Sequence, residues 1–116
     1  IHFLHYNDLT ADLDGQMRRV ADMLEVPAGG ANWDQLVRAA TFDSMKANAD
    51  ATAPDAHMGT WKSNSDFFRS GRTGQWREVL DDESVARYER FKTDRLDPAL
   101  ADWLERGGDA GDPKLL

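Results

Sequence analysis

A mostly helical α/β fold is expected for these 116 residues, with one strand over about residues 1–6 followed by helices. Three observations carry this expectation. The chain opens on Ile1-His2-Phe3-Leu4-His5-Tyr6, and such near-continuous apolarity suits a parallel strand covered on both faces. Apolar residues then recur at helical spacing in several later segments. No other convincing strand follows, so the first one lacks the neighbours a sheet needs. The chain is therefore expected to be the C-terminal part of a single larger domain whose N-terminal part supplies the sheet.

Asn7-Asp8 ends the strand as a turn or cap signal. A helix over about Ala11 to Glu25 would bury Leu13, Met17, Val20, Ala21 and Leu24, stopped by Pro27 and Gly29-Gly30. Asn32 is a suitable N-cap for a second helix burying Trp33, Leu36, Val37 and Ala40, and Thr41 for a short third one carrying Phe42 and Met45. Residues 50–65, rich in Ala, Asp, Ser, Thr and Asn, read as a long lid-like loop holding His57 and Trp61; a mobile surface stretch with one anchoring Trp is an equal alternative. Asp81-Asp82-Glu83-Ser84 opens a helix, since acids suit the positive helix end, with Val85, Tyr88, Phe91 and Leu96 on its apolar side. Asp97-Pro98 starts the last helix, which turns Leu100, Trp103 and Leu104 inward and ends at Gly107-Gly108. Residues 109–116 read as a frayed tail.

Composition excludes several function classes. With no Cys there is no disulfide framework, thiolate metal site or cysteine nucleophile, and no metal is expected. The net charge of −7 argues against a general nucleic-acid binder, which needs basic surface. No apolar run approaches the ~20 residues of a membrane span, and no secretion leader is visible, so a cytoplasmic location is expected. The charge is uneven, however: residues 1–56 carry −5, residues 57–80 carry +2 and residues 81–116 carry −4. Phe67 to Arg77 holds Arg69, Arg72 and Arg77 with no acid. Local field decides what binds, so this island is a candidate anion site; three arginines on a solvated loop are the plainer reading.

The island reads Phe67-Phe68-Arg69-Ser70-Gly71-Arg72-Thr73-Gly74-Gln75-Trp76-Arg77. Gly71 and Gly74 let the backbone approach an anion and point N–H groups at it. Arg69 offers a planar fork that matches phosphate oxygens, and Trp76 can pin the loop to a core. The spacing alone is moderately specific.

This segment resembles the C-terminal signature of the sulfotransferase family, R-K-G-x-x-G-D-W-K, whose members use 3′-phosphoadenosine 5′-phosphosulfate (PAPS). Two upstream segments are similar in the right order. Leu4-His5-Tyr6-Asn7-Asp8-Leu9 resembles the family's Y-E-D-(L/M), and Ala40-Thr41-Phe42-Asp43-Ser44-Met45-Lys46 its T-S-F-x-x-M-K. Together they cover nearly the whole chain and lie nearer the bacterial branch than the vertebrate cytosolic one. Ser70, Gln75 and Asn7 depart from the pattern; Ser70 removes a cation that Arg72 can replace. Glu78-Val79-Leu80-Asp81 does not match the family's K-T-V-E dimer motif.

The resemblance implies the C-terminal, mostly helical part of a P-loop-like three-layer fold with a parallel sheet. It implies a sulfotransferase moving a sulfuryl group from PAPS to a hydroxyl or amine of a small-molecule acceptor. Arg69 and Gly71 would hold the nucleotide 3′-phosphate, with Phe67, Phe68 and Ser70 in the same stretch. Tyr6 would lie near the adenine, and Thr41, Phe42 and Met45 would line its pocket. The phosphosulfate-binding loop and the general base have no counterpart in these residues, so no catalytic residue is assigned; of the three His, only His57 in the lid merits a test. The competing classes are a non-catalytic helical interaction module and a kinase-like nucleotide-dependent transferase of related fold.

Overall fold

A computed structural model describes residues 2–111, less the side chain of Asp109. Among them run seven α-helices: α1 (Tyr6–Ala11), α2 (Leu13–Met23), α3 (Trp33–Ala39), α4 (Phe42–Ala47), α5 (Ala49–Thr52), α6 (Asp82–Arg95) and α7 (Pro98–Arg106). Short 3-10 turns occur at Asn64–Asp66, Gln75–Glu78 and Gly107–Ala110. The helical majority agrees with the sequence, but no strand occurs among the described residues. The expected strand over residues 1–6 is corrected: residues 2–5 carry no regular element, and Tyr6 already opens α1. A strand exists only through lateral pairing of its backbone groups. The end of this segment is used differently, because the His5 ring accepts the Asn7 N–H at 3.1 Å and caps α1.

The chain divides into two units, residues 13–72 and residues 1–12 with 73–116. In the second of these, α1 is tied to the end of α7 by groups about a hundred positions away in sequence. The His5 Nε2 lies 3.0 Å from the Leu104 carbonyl, Asn7 Nδ2 donates to the Glu105 carbonyl at 3.2 Å, and both Asp8 carboxylate oxygens accept the Gly108 N–H at 3.0 Å. Phe3 and His5 meet buried Trp103 edge-on, with ring centroids 5.9 and 5.3 Å away. Asp97 caps α7 by accepting the Ala99 N–H at 2.9 Å, with Pro98 in the first turn where its missing donor does no harm. Gly107 ends α7 at φ +76°. A Cβ there would lie 2.6 Å from Asp8 Oδ1 and 2.7 Å from His5 Nδ1.

Asp81 caps α6 by accepting the Ser84 N–H at 2.8 Å, and its hydrogen bonds with Ser84 hold its carboxyl below the usual range. Lys92 joins α6 to α7 through Glu105 at 2.6 Å and also pairs with Glu89 at 2.7 Å, which together raise its pKa above the ordinary ammonium value. The expected burial of the α6 stripe is corrected, since Tyr88 and Phe91 remain 50% and 59% exposed, and on α7 Leu104 is exposed as well. The two helices meet through the Lys92–Glu105 pair, and a stripe is buried only where another element covers it.

The single helix expected from Ala11 to Glu25 is interrupted at Asp12, whose φ of −145° is not helical, so that α2 opens residues 13–72. At its far end Glu25 turns left-handed at φ +56° and the Val26 N–H reaches back to the Ala21 carbonyl at 2.9 Å, so α2 stops before Pro27 is met. Leu24 and Leu36, expected inside, are exposed. Asn32 holds the N-cap position of α3 without a side-chain cap bond, whereas Thr41 caps α4 as expected, accepting the Ser44 N–H at 3.3 Å. Buried Trp33 donates its indole N–H to Asp14 at 2.5 Å, and Arg18 donates to the same carboxylate at 2.9 Å while lying 4.9 Å over the indole ring. A second cluster is built from Ala49, Ala53 and Phe68, with Phe42, Met45 and Ala56 packed on it.

Among the described residues no helix is long and apolar enough to cross a membrane. Of the tail expected to fray, Ala110 closes the last 3-10 turn, and residues 112–116 lie outside the described residues.

Gly107→Ala is expected to lower stability by about 1–3 kcal/mol, the range for a strained backbone position, read by thermal or urea unfolding. The hydrogen bonds of Arg18 and then Trp33 hold the Asp14 pKa below its ordinary value. Its folded pKa thus lies below its unfolded one, so the contribution is present above about pH 4 and lost as pH falls through the lowered value. Asp14→Asn should flatten the fall of Tm between about pH 5 and pH 2, because the carboxylate that titrates is gone.

Candidate functional site

The island from Phe67 to Arg77 spans both units, and its geometry is fullest in residues 13–72. Phe68 is the most buried of the core side chains at 5% exposure, so it supports the loop from below. An aromatic chain runs through it. Phe42 meets Phe68 edge-on with ring centroids 5.9 Å apart, Phe67 meets Phe68 at 5.0 Å, and Trp61 meets Phe67 at 5.2 Å. Edge-to-face pairs of this kind fix ring orientation as well as burying area. The backbone emerges from the core at Arg69 with its direction set.

Gly71 takes φ +60°, a left-handed conformation that an L side chain adopts at a cost of about 1–2 kcal/mol. Its open face lies directly on the Phe42 ring, where a Cβ would come within 2.7 Å of Cδ2 and 2.9 Å of Cγ and Cε2. The position therefore requires glycine twice over. On either side of it, Arg69 and Arg72 are exposed, and the Ser70 hydroxyl lies 3.5 Å from the Arg72 N–H.

Thr41, Phe42 and Met45 come to this place on α4. Thr41 donates to the Arg38 carbonyl at 2.8 Å while capping the helix. Met45 is half-buried on the core, and Phe42 bridges the core and Gly71. The structure thus brings Phe42, Met45, Phe67, Phe68 and Gly71 into one packed cluster, with Arg69 and Ser70 on the connecting backbone. Tyr6, half exposed at the start of α1, belongs to the other unit.

Lys46 joins the group unannounced by sequence. Its Nζ donates to the Arg69 carbonyl at 3.3 Å and lies 5.9 Å from the Phe42 ring centroid. The i, i+4 spacing of Phe42 and Lys46 puts both on one face of α4, and that was the available signal.

Two expectations change. Trp76 does not pin the loop by burial: it is 46% exposed, with the Arg77 guanidinium 4.5 Å over its ring. Residues 50–65 are also not structureless. They begin inside α5, Ala53 is buried, Asn64 bonds Asp50 at 2.8 Å, and the Trp61 indole donates to the Pro54 carbonyl at 2.9 Å. A side-chain pattern rich in small polar residues hides such bonds, because each partner is separated in sequence by a turn. His57 and Met58 lie exposed within this segment. His5 uses both ring nitrogens as a structural bridge and is not disposed to act as a base. No group of His, Asp or Glu that could hold a metal ion occurs among the described residues.

Comparison with known proteins gives a consistent result. The family described as "Sulfotransferase domain" matches residues 1–100. The chain is 32% identical over 113 residues to a glycolipid sulfotransferase of Mycobacterium bovis (strain BCG / Pasteur 1173P2), covering 97% of this chain and 35% of that protein. The glycolipid sulfotransferase of Mycobacterium tuberculosis (strain ATCC 25177 / H37Ra) gives the same identity and coverage. An amine sulfotransferase of Oryctolagus cuniculus is 28% identical over 94 residues, covering 78% of this chain and 31% of that protein. The chain spans about a third of the length of the curated relatives it matches. No solved structure matches it.

Gly71→Ala is expected to be more damaging than Gly59→Ala. Both glycines have positive φ, but only the first has an aromatic ring in the path of the new methyl. By unfolding, the Gly59 variant should lose about 1 kcal/mol and the Gly71 variant at least 1 kcal/mol more, from the displaced Phe42. Equal losses would mean that Phe42 does not constrain the loop.

Proposed function

This chain belongs to the sulfotransferase family, and from that membership we propose that the full protein transfers a sulfuryl group from PAPS to a hydroxyl or amine of a small-molecule acceptor. In this reading the loop at residues 67–71, with Thr41, Phe42 and Met45, anchors the nucleotide. The observation that carries it is Gly71, left-handed and seated on the Phe42 ring between two exposed arginines. A bare backbone flanked by guanidinium groups fits a phosphate, which needs close N–H donors and bidentate cations. Phe42 is a partly buried aromatic ring beside the same loop, which suits a nucleobase pocket.

When bound, PAPS supplies the sulfuryl group and the phosphate that leaves with the nucleotide. Arg69 would bind the 3′-phosphate, far from the reacting sulfur, and that remote grip orients the transfer. Gly71 admits the phosphate close to the main chain. Tyr6 would lie near the adenine. Residues 50–65 are the proposed lid, with His57 in their exposed part. The groups that hold the sulfuryl oxygens, the base that takes the acceptor proton and the parallel sheet of a P-loop-like fold belong to the remainder of the domain in this proposal, as does a cytoplasmic location.

The names of the relatives order the acceptor classes to be tested. The mycobacterial ones are named for a glycolipid and match nearly the whole chain, while the rabbit one is named for an amine and matches less of it. A carbohydrate hydroxyl is therefore the first acceptor class to test.

Arg69→Ala in the full-length protein should weaken binding of 3′-phosphoadenosine 5′-phosphate by roughly 1.5–3 kcal/mol, the range for a hydrogen bond to a charged group. Calorimetric titration checks this. Adenosine 5′-phosphate, which lacks the 3′-phosphate, should bind the variant and the parent alike. Unchanged affinity for the 3′-phosphorylated nucleotide would sink the assignment.

A further inference from the structure

We propose that Lys46 is a positioning residue for the phosphate loop, resting on the nucleotide-anchoring role given above to residues 67–71. Three observations meet at this side chain. Its Nζ donates to the Arg69 carbonyl at 3.3 Å. It lies 5.9 Å from the centroid of the Phe42 ring. That ring is the surface on which Gly71 is seated. Lys46 and Phe42 are one helical turn apart on α4, so a single short helix grips the loop at two points, a carbonyl before Ser70 and the α-carbon after it.

The consequence follows from peptide geometry. The peptide bond is planar and trans, so its carbonyl and N–H point in opposite directions, and no cis peptide occurs among the described residues. Holding the Arg69 carbonyl toward Lys46 turns the Ser70 N–H to the other side of the loop. Seating Gly71 on Phe42 fixes the next peptide. An amide whose direction is set in advance is a donor suited to an anion. Lys46 thus acts through the loop backbone: its ammonium is bound to the carbonyl, and its effect on a ligand is to present the Ser70 N–H and the Arg69 guanidinium in one orientation. Thr41 starts the same helix as its cap, and Thr52 holds its other end by donating to the Met45 carbonyl at 2.6 Å, so the lysine is carried on a helix fixed at both ends.

The test compares 3′-phosphoadenosine 5′-phosphate with adenosine 5′-phosphate by calorimetric titration of the full-length protein and its Lys46→Met and Lys46→Arg variants. Lys46→Met should lose about tenfold in affinity for the 3′-phosphorylated nucleotide, the equivalent of one exposed charge-assisted hydrogen bond. Its affinity for adenosine 5′-phosphate should change by less than about twofold, because that ligand lacks the 3′-phosphate given to Arg69 and the loop backbone. Lys46→Arg, which keeps a charged donor, should restore most of the discrimination. Lys46 is exposed, so both variants should unfold within a degree or two of the parent. Equal losses for the two nucleotides, or an unchanged ratio in Lys46→Met, would overturn the positioning role while leaving the phosphate loop intact. A parent protein that binds both nucleotides equally would overturn the loop assignment itself, and this inference with it.

Discussion

The seat of Gly71 on the Phe42 ring is the contact on which the proposed phosphate loop depends. It joins a backbone conformation to a packing contact. Gly71 turns left-handed, and the Phe42 ring leaves no room for a side chain there. Phe42 is itself held because Phe68 meets it edge-on, and Phe68 is fixed by burial among Ala49 and Ala53. Small residues at the start of α5 and just after its end matter for that reason: the Ala49 and Ala53 pair leaves the space a phenyl ring fills. The route from sequence to function runs through the least exposed side chain of this core, and only at its end reaches the charged residues that a ligand would meet.

A comparable constraint organises residues 1–12 with 73–116. Asp8 and His5 bind the Gly107-Gly108 corner and the last turn of α7, so the start and the late part of the chain are fastened through backbone groups. The His5 ring serves as helix cap, as bridge to Leu104 and as aromatic neighbour of Trp103. A residue with three structural contacts has little freedom for chemistry, and His5 is not among the residues expected to transfer a proton.

Much of the helical content was legible in local pattern. Thr41 reads as a cap, and Asp81 and Asp97 read as helix openings; in the fold each accepts the backbone N–H of a first turn. The Pro98 start and the Gly107 end of α7 stood where capping preferences place them. The apolar stripes were less reliable guides. Leu24, Leu36, Tyr88 and Leu104 have helical spacing and yet are exposed, because periodicity shows which face could be buried and says nothing of whether another element covers it. Asn32 shows the same limit for caps: residue type and position were right, and the side chain makes no cap bond. The opening apolar run misled for a related reason, since strandness is a property of pairs of segments.

For the site, residue chemistry singles out Phe67 to Arg77, because glycine spacing and arginines are local facts, and the resemblance of this stretch and of Ala40 to Lys46 to family motifs points to the sulfotransferases. Three things were set only by the fold. Phe68 became a buried support, Trp76 remained exposed with Arg77 stacked on it, and Lys46 closed on the Arg69 carbonyl across a separation of 23 residues. Each depends on which surfaces meet after the chain turns back on itself, and no local pattern encodes that meeting.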